Sequence, residues 1–406
     1  MEVEVSGKHI KLRFVLFILA FVVGVVAFGI GFYHLTNRET GYYEVKATND
    51  ETAPTYANGY SFYCYIDGSS NEIKTNLTKI NSLYSESLGR ISRLLDPLET
   101  YDGYVNLATL NGHIGEDVAL PAELYEILSD AAARCEGTEI SIFDGALRAL
   151  WTEALYLEEP EAFDPIRDAF QRERMQAARD AARKPGAVRL VFVDASTHTV
   201  RLEVSDAYRA TMNKYEIEAP VLDLGLLREA YTLRYVYHKL ADNGMTQGYF
   251  MTVDGLTVML PDTESAQIVV YGYENDRLTP AAGFTIGGGN ACCVLRSFSN
   301  GDNGYYTIDG ILRHPYPGPD EEPNRWILTA WSVSSAGDIV GTALSALSLY
   351  AAPYEKAEQT VSELASKQIS AAYIAVDAPK TVVVDSLHKT DTVVSAENGY
   401  ELITVD

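Results

Sequence analysis

Apolar residues recur every three or four positions in Leu77, Ile80, Leu83, Tyr84, Leu88, Ile91, Leu94 and Leu95, a spacing that predicts a helix over residues 73–95 with one buried stripe. The same pattern predicts helices at 121–135, where Pro121 suits a first turn, at 143–157, closed by Glu158-Glu159-Pro160, and at 226–242, ended by Asn243-Gly244. Residues 189–194 and 199–204 alternate around Ala195-Ser196-Thr197 and read as a hairpin; 250–253 and 256–260 flank Asp254-Gly255 and read as another. Further strands are expected at 60–66, 220–224, 268–273, 291–295 and 371–376, with a last helix at 354–368 and a β-rich tail. Residues 160–186 are charged and alanine-rich, as in a solvated helix that turns at Lys184-Pro185-Gly186. Strands and helices come in clusters, not in strict alternation, which predicts the α+β class.

Residues 14–33 form an uncharged apolar stretch behind Lys8, Lys11 and Arg13, long enough for one transmembrane helix. The positive flank then keeps residues 1–36 as a cytoplasmic start plus anchor and puts the rest outside the cell membrane. A cleaved signal peptide is the competing reading, since small residues such as Ala27 and Gly29 lie near the end of the stretch. Polar residues 37–58 read as a linker, 59–385 as the folded domain and 386–406 as the tail. With 406 residues, 47% of them hydrophobic, the chain can bury a substantial core. Its net charge of −24 argues against nucleic acid as a partner, because phosphate backbones need clustered Lys and Arg. Cys64, Cys135, Cys292 and Cys293 show neither zinc spacing nor a disulfide framework and receive no redox role.

Chemistry concentrates in Gly337-Asp338-Ile339-Val340-Gly341-Thr342, which opens the apolar run 343–350. On a helix, Asp338 and Thr342 share a face and present a carboxylate and a hydroxyl one turn apart, beside free N–H groups that favour a phosphate. Two hard oxygens there can hold Mg²⁺; in the alternative, Asp338 only caps the helix and Thr342 packs sideways.

Glu99-Thr100-Tyr101, Phe143-Asp144-Gly145, Leu222-Asp223-Leu224-Gly225 and Gly337-Asp338 open four segments whose order along the chain resembles the ApbE family, FAD:protein FMN transferases that move FMN from FAD onto a threonine of a target protein. Glu99-Thr100-Tyr101 with Leu107-Ala108-Thr109-Leu110-Asn111 looks like the family's flavin-side loop. Phe143-Asp144-Gly145-Ala146-Leu147, running to Leu150-Trp151, is similar to a second signature. Leu222-Asp223-Leu224-Gly225-Leu226-Leu227-Arg228-Glu229-Ala230 resembles a third, with Glu229 at the usual lysine. Trp331-Ser332-Val333 with Gly337-Asp338 to Thr342 is close to the fourth. Ile311-Leu312-Arg313-His314-Pro315-Tyr316-Pro317-Gly318 stands at the family's His-containing element, with Ile311 at the His position and His314 on the family's Asp.

The resemblance implies an ApbE-like, T-fold-like domain of antiparallel sheets with helices over roughly residues 60–385. It implies Mg²⁺ held by Asp338, Thr342 and the carbonyl of Leu226, and FAD contacted by Tyr101, Asn111, Phe143, Asp144, Asp223, Glu229 and Ile311. His314, an imidazole near the reaction centre, is the catalytic candidate. The implied partners are FAD and an extracytoplasmic flavin-accepting protein, with AMP released. Bland roles stand beside these: Asp223 as a helix cap, Tyr101 as packing, Asn111 as a turn residue, Glu229 as an exposed first-turn acid. The alternative function is a catalytically impaired flavin- or nucleotide-binding module at the cell surface.

Overall fold

The computed structural model describes residues 39–47, 59–138, 140–156, 164–165, 167–274, 277–296, 306–308, 311–313, 327–334, 337–387 and 391–405. In chain order the first half forms β1 (Gly41–Val45), β2 (Tyr60–Ile66), α1 (Ser70–Leu94), α2 (Leu107–Gly112), β3 (Asp117–Ala119), α3 (Ala122–Cys135), α4 (Gly145–Tyr156), α5 (Ala169–Arg183), β4 (Val188–Asp194), β5 (Thr199–Val204) and α6 (Asp206–Lys214). The second half forms α7 (Leu226–Asp242), β6 (Gly248–Thr252), β7 (Leu256–Met259), β8 (Ala266–Glu274), β9 (Arg277–Ile286), β10 (Ala291–Arg296), β11 (Tyr306–Ile308), β12 (Ile311–Arg313) and β13 (Ile327–Ser334). It closes with α8 (Ile339–Tyr350), α9 (Ala357–Ser366), β14 (Ile369–Ala375), β15 (Thr381–Asp385), β16 (Thr392–Val394) and β17 (Glu401–Val405).

A nine-stranded sheet, ordered β1-β2-β6-β7-β10-β13-β14-β15-β17, is the backbone of the molecule. Every neighbouring pair in it is antiparallel except β15 and β17, as the α+β reading expects. Its central strands β13 and β14 are buried on both faces, which leaves only small hydroxyls, Thr329, Ser332, Ser334 and Ser370, among their apolar residues. The period of two sends Ala330, Cys293 and Tyr373 under the helices, and Trp331, Cys292, Ala372 and Ile374 to the other face. There the small sheet β16-β9-β8 covers them, with Phe284 stacked on Trp331 at 6.4 Å between ring centroids. On the helical face α8 is the innermost helix, buried through Ile339, Val340, Ala343, Ala346, Leu347, Leu349 and Tyr350, and α7 packs against it.

Several local expectations change for physical reasons. Helix α1 starts earlier than its apolar stripe, because Ser69 and Glu72 form a capping box over an exposed, polar first turn. The segment 160–186 contains α5, capped by Asp168, and it is not simply solvated, since Met175, Ala178, Ala181 and Ala182 are buried. Residues 220–224 form no strand: the Asn111 side chain takes the N–H groups of Val221 and Leu222 and the carbonyl of Leu222, leaving none of these for a ladder. The expected helix 354–368 divides into a 3₁₀ turn, Tyr354–Lys356, and α9. The stretch read as a linker contains β1, paired along its length with β2. Beyond Ser386 the tail is integral, β16 joining β9 and β17 joining β15. The apolar segment 14–33 lies outside the described residues; among those described, no helix is long and apolar enough to cross a membrane. All four cysteines are free, and burial pushes the Cys64 and Cys292 thiols up to about 12, which keeps them protonated and unreactive.

Candidate active site

Three of the four segments singled out in the sequence meet at the start of α7. Asn111 reaches the chain before α7, its amide nitrogen donating to the carbonyls of Pro97 and Leu222 at 3.1 and 3.0 Å. Its carbonyl oxygen accepts from Val221 and Leu222 at 3.2 and 2.9 Å. From the second segment, the Ile142 carbonyl accepts from Asp223 N–H at 3.0 Å and Gly145 N–H donates to Val221 at 3.4 Å. The Arg148 guanidinium lies over Gly225, which holds φ +55° and has no room for a Cβ: one would fall 1.9 Å from the guanidinium carbon.

The expected FAD-contacting residues prove to hold this architecture together. Tyr101 donates its hydroxyl to Asp96 at 2.6 Å, and burial followed by that carboxylate pushes the phenol up. Asn111 spends all its hydrogen-bonding groups on the protein. Asp223 accepts from Gly225 N–H at 2.8 Å in a turn ahead of the helix; Gly225 itself is the N-cap of α7, which has no side-chain cap, so Asp223 does not take the capping role considered for it. Asp144 is buried at the start of α4, 3.4 Å from an Arg183 nitrogen, while its Oδ1 finds no partner. Burial raises its pKa against the pull of Arg183 and Arg148. Glu229 does not face solvent as an ordinary first-turn acid would. Its Oε2 is enclosed without a partner, and burial first, then Asp254 in the β6–β7 turn, pushes its carboxyl well up. Phe143 lines a different concavity, a cleft of about 710 Å³ that includes Phe192, Arg183, Lys184 and Arg189. Aromatic walls with cations at the rim suit a planar ring carrying phosphate. This cleft is lined by Ser129, Ala132 and Glu136, on a different side of α3 from Asp130 and Arg134, so Phe143 and Asp338 do not share one pocket. Ile311 lies in β12 paired with β11, and His314 lies outside the described residues.

At α8 the carboxylate and hydroxyl do come together, but with partners of their own. Asp338 caps the helix, its Oδ1 accepting from Gly341 N–H at 3.0 Å, and its Oδ2 accepts from Arg134 of α3 at 2.8 Å. Thr342 is fully buried and donates its hydroxyl to the Asp338 carbonyl at 2.8 Å. Leu226 is the first residue of α7, where helical geometry directs its carbonyl along the axis to the N–H of Ala230. Arg134 is held from behind by Asp130 at 2.9 Å, and Asp130 in turn by Arg234 at 2.6 Å and the Tyr231 hydroxyl at 3.1 Å. Among the described residues no cluster of three or more His, Cys, Asp or Glu side chains could hold a metal ion. Of the three oxygens assigned to Mg²⁺, the Asp338 carboxylate holds a guanidinium, and a dication beside Arg134 would meet its charge.

Sequence reasoning missed Arg134, Asp130 and Arg148. An Asp and an Arg four apart on a helix read as a solvated pair, and nothing local marks a partner 204 positions away. Burial works against charge on Asp130, but its hydrogen bonds to Arg134 and Arg234 outweigh it and hold the carboxyl below its ordinary value. Its stabilising contribution is therefore present above about pH 4 and lost as pH falls through the lowered folded value. Asp130→Asn should flatten the acid limb of a stability–pH curve measured by denaturant unfolding; an unchanged limb would remove Asp130 from the network. Gly337, at φ +71°, precedes Asp338, and a Cβ there would lie 2.3 Å from the Gly289 carbonyl oxygen. Gly337→Ala should cost about 1–3 kcal/mol in thermal unfolding. An unshifted melting temperature would mean that the α8 start is not fixed as described.

This architecture is the ApbE fold. It matches the ApbE protein of Thermotoga maritima at TM-score 0.60 and 15% identity, over 86% of this chain and 99% of that one. It also matches the flavin transferase ApbE of Vibrio cholerae (TM-score 0.54, 14% identity, 82% and 95% covered) and the apo flavinyl transferase ApbE of Pseudomonas stutzeri (0.53, 13%, 84% and 92%). No family model and no curated protein matches the sequence.

Proposed function

We propose that this chain is a flavin transferase that takes FAD as donor and passes its FMN portion to a threonine hydroxyl of a partner protein. Support comes from the convergence of the Asn111, Asp144 and Asp223 segments at the start of α7 in a chain with the ApbE fold. In the reaction a threonine oxygen forms a bond to the FMN phosphorus as the pyrophosphate bond to AMP breaks, and the hydroxyl proton leaves to a base. His314 is the candidate base. Developing charge on the phosphate oxygens needs fixed donors, and Arg148 over the α7 start and Arg134 at the α8 start are placed to supply them. An anchor at 14–33 would hold the domain outside the cytoplasm, facing an extracytoplasmic acceptor.

A second reading, a flavin- or nucleotide-binding module without transfer, is favoured by the enclosure of Glu229 and the engagement of Asp338. Incubating the protein with FAD and a threonine-bearing acceptor, with and without Mg²⁺, separates the two. Transfer predicts AMP release together with in-gel flavin fluorescence on the acceptor. AMP without labelled acceptor would indicate hydrolysis, and neither product would reject transfer.

A further inference from the structure

We infer that Arg134 is the resident cation of the α8 site, its guanidinium doing at Asp338 the charge-neutralising work that the sequence assigned to a divalent ion, so that the site takes a diphosphate-bearing ligand without added metal. The diphosphate part of this inference rests on the flavin-transfer reading; the metal part stands alone.

The geometry is that of a built-in charge and not a chance surface contact. Arg134 Nε donates to Asp130 at 2.9 Å while a terminal nitrogen donates to Asp338 at 2.8 Å, so the planar head is fixed at two edges. Asp130 is itself fixed from α7 by Arg234 and Tyr231, whose ring also lies under the Arg234 guanidinium at 4.6 Å. Three helices, α3, α7 and α8, thus converge on one arginine. Two aspartates balance two arginines here, and Arg134 keeps N–H groups beyond those two bonds for an incoming anion. Asp338 already gives Oδ1 to the Gly341 N–H and Oδ2 to Arg134, so a metal ion there would have to displace or share the guanidinium. Thr342 is closed off by burial and by its bond to the Asp338 carbonyl. Arg148 holds a second guanidinium over Gly225, at the start of α7.

The test uses Mn²⁺ alone and FAD alone on the full-length protein. Electron paramagnetic resonance of free Mn²⁺ should show no stoichiometric binding by the wild type, whereas Arg134→Gln should gain a site that Asp338→Asn removes again. Stoichiometric Mn²⁺ binding by the wild type, lost in Asp338→Asn, would overturn the inference. FAD affinity, followed by flavin fluorescence, should be the same in EDTA and in Mg²⁺ and fall at least tenfold in Arg134→Gln, with partial recovery in Arg134→Lys. A tenfold or greater weakening by EDTA in the wild type would overturn it as well. Failure to bind FAD under either condition would reject the flavin reading, and the inference about a diphosphate ligand with it. The Mn²⁺ result would still decide which cation Asp338 holds.

Discussion

Asn111→Ala is expected to destabilise the protein by about 3 kcal/mol and to weaken FAD binding with it. One side chain closes four hydrogen bonds, to Pro97, to Val221 and twice to Leu222, across gaps of 14 to 111 residues. Truncation leaves two backbone N–H groups and two carbonyls without that partner, and each bond is worth about 1 kcal/mol net, more where water cannot replace it. The segment so released carries Asp223 and Gly225 into α7, so the phosphate contacts proposed at the start of α7 should loosen too. Asn111→Asp keeps the acceptor but sets a carboxylate oxygen against the Pro97 and Leu222 carbonyls, so its cost should match or exceed that of alanine. Denaturant unfolding of the three proteins checks the order. A loss below about 1 kcal/mol for alanine would mean that the segment is held by something other than this amide.

Glu229→Gln should act in the opposite direction, stabilising the protein at neutral pH by about 1–3 kcal/mol. Burial, and Asp254 next, hold the folded carboxyl well above its ordinary value. In the unfolded chain it titrates at about 4.3, so above that pH the unfolded state sheds a proton that the folded state keeps. The contribution is full below that value and lost as pH rises toward the folded one. Glutamine cannot ionise, keeps the shape and can still donate to Asp254. The gain should therefore be present at pH 7 and vanish below about pH 4. An equal gain at both, or a loss at neutral pH, would contradict the enclosed carboxyl.

What could be read from the sequence was whatever repeats locally. The stripe from Leu77 to Leu95 found α1, Asp254-Gly255 found the β6–β7 turn, and the apolar run after Thr342 found α8. Extended residues 220–224 read as a strand because propensity cannot know that Asn111 already holds their backbone. The site residues were legible as positions and less so as roles. Tyr101, Asn111 and Asp223 sit in the segments singled out, yet each spends its polar groups on the protein. Arg134 was illegible for a simple reason: its meaning comes from Asp338 on another helix, and a long-range ion pair leaves no mark on local pattern.

Whether FAD is the ligand decides between these readings of the protein. Titrating FAD against the full-length protein and recording flavin fluorescence should give saturable one-to-one binding, displaced by ADP, which shares the diphosphate and adenine. Fluorescence that never saturates, or binding indifferent to ADP, would contradict a dinucleotide site at the starts of α7 and α8.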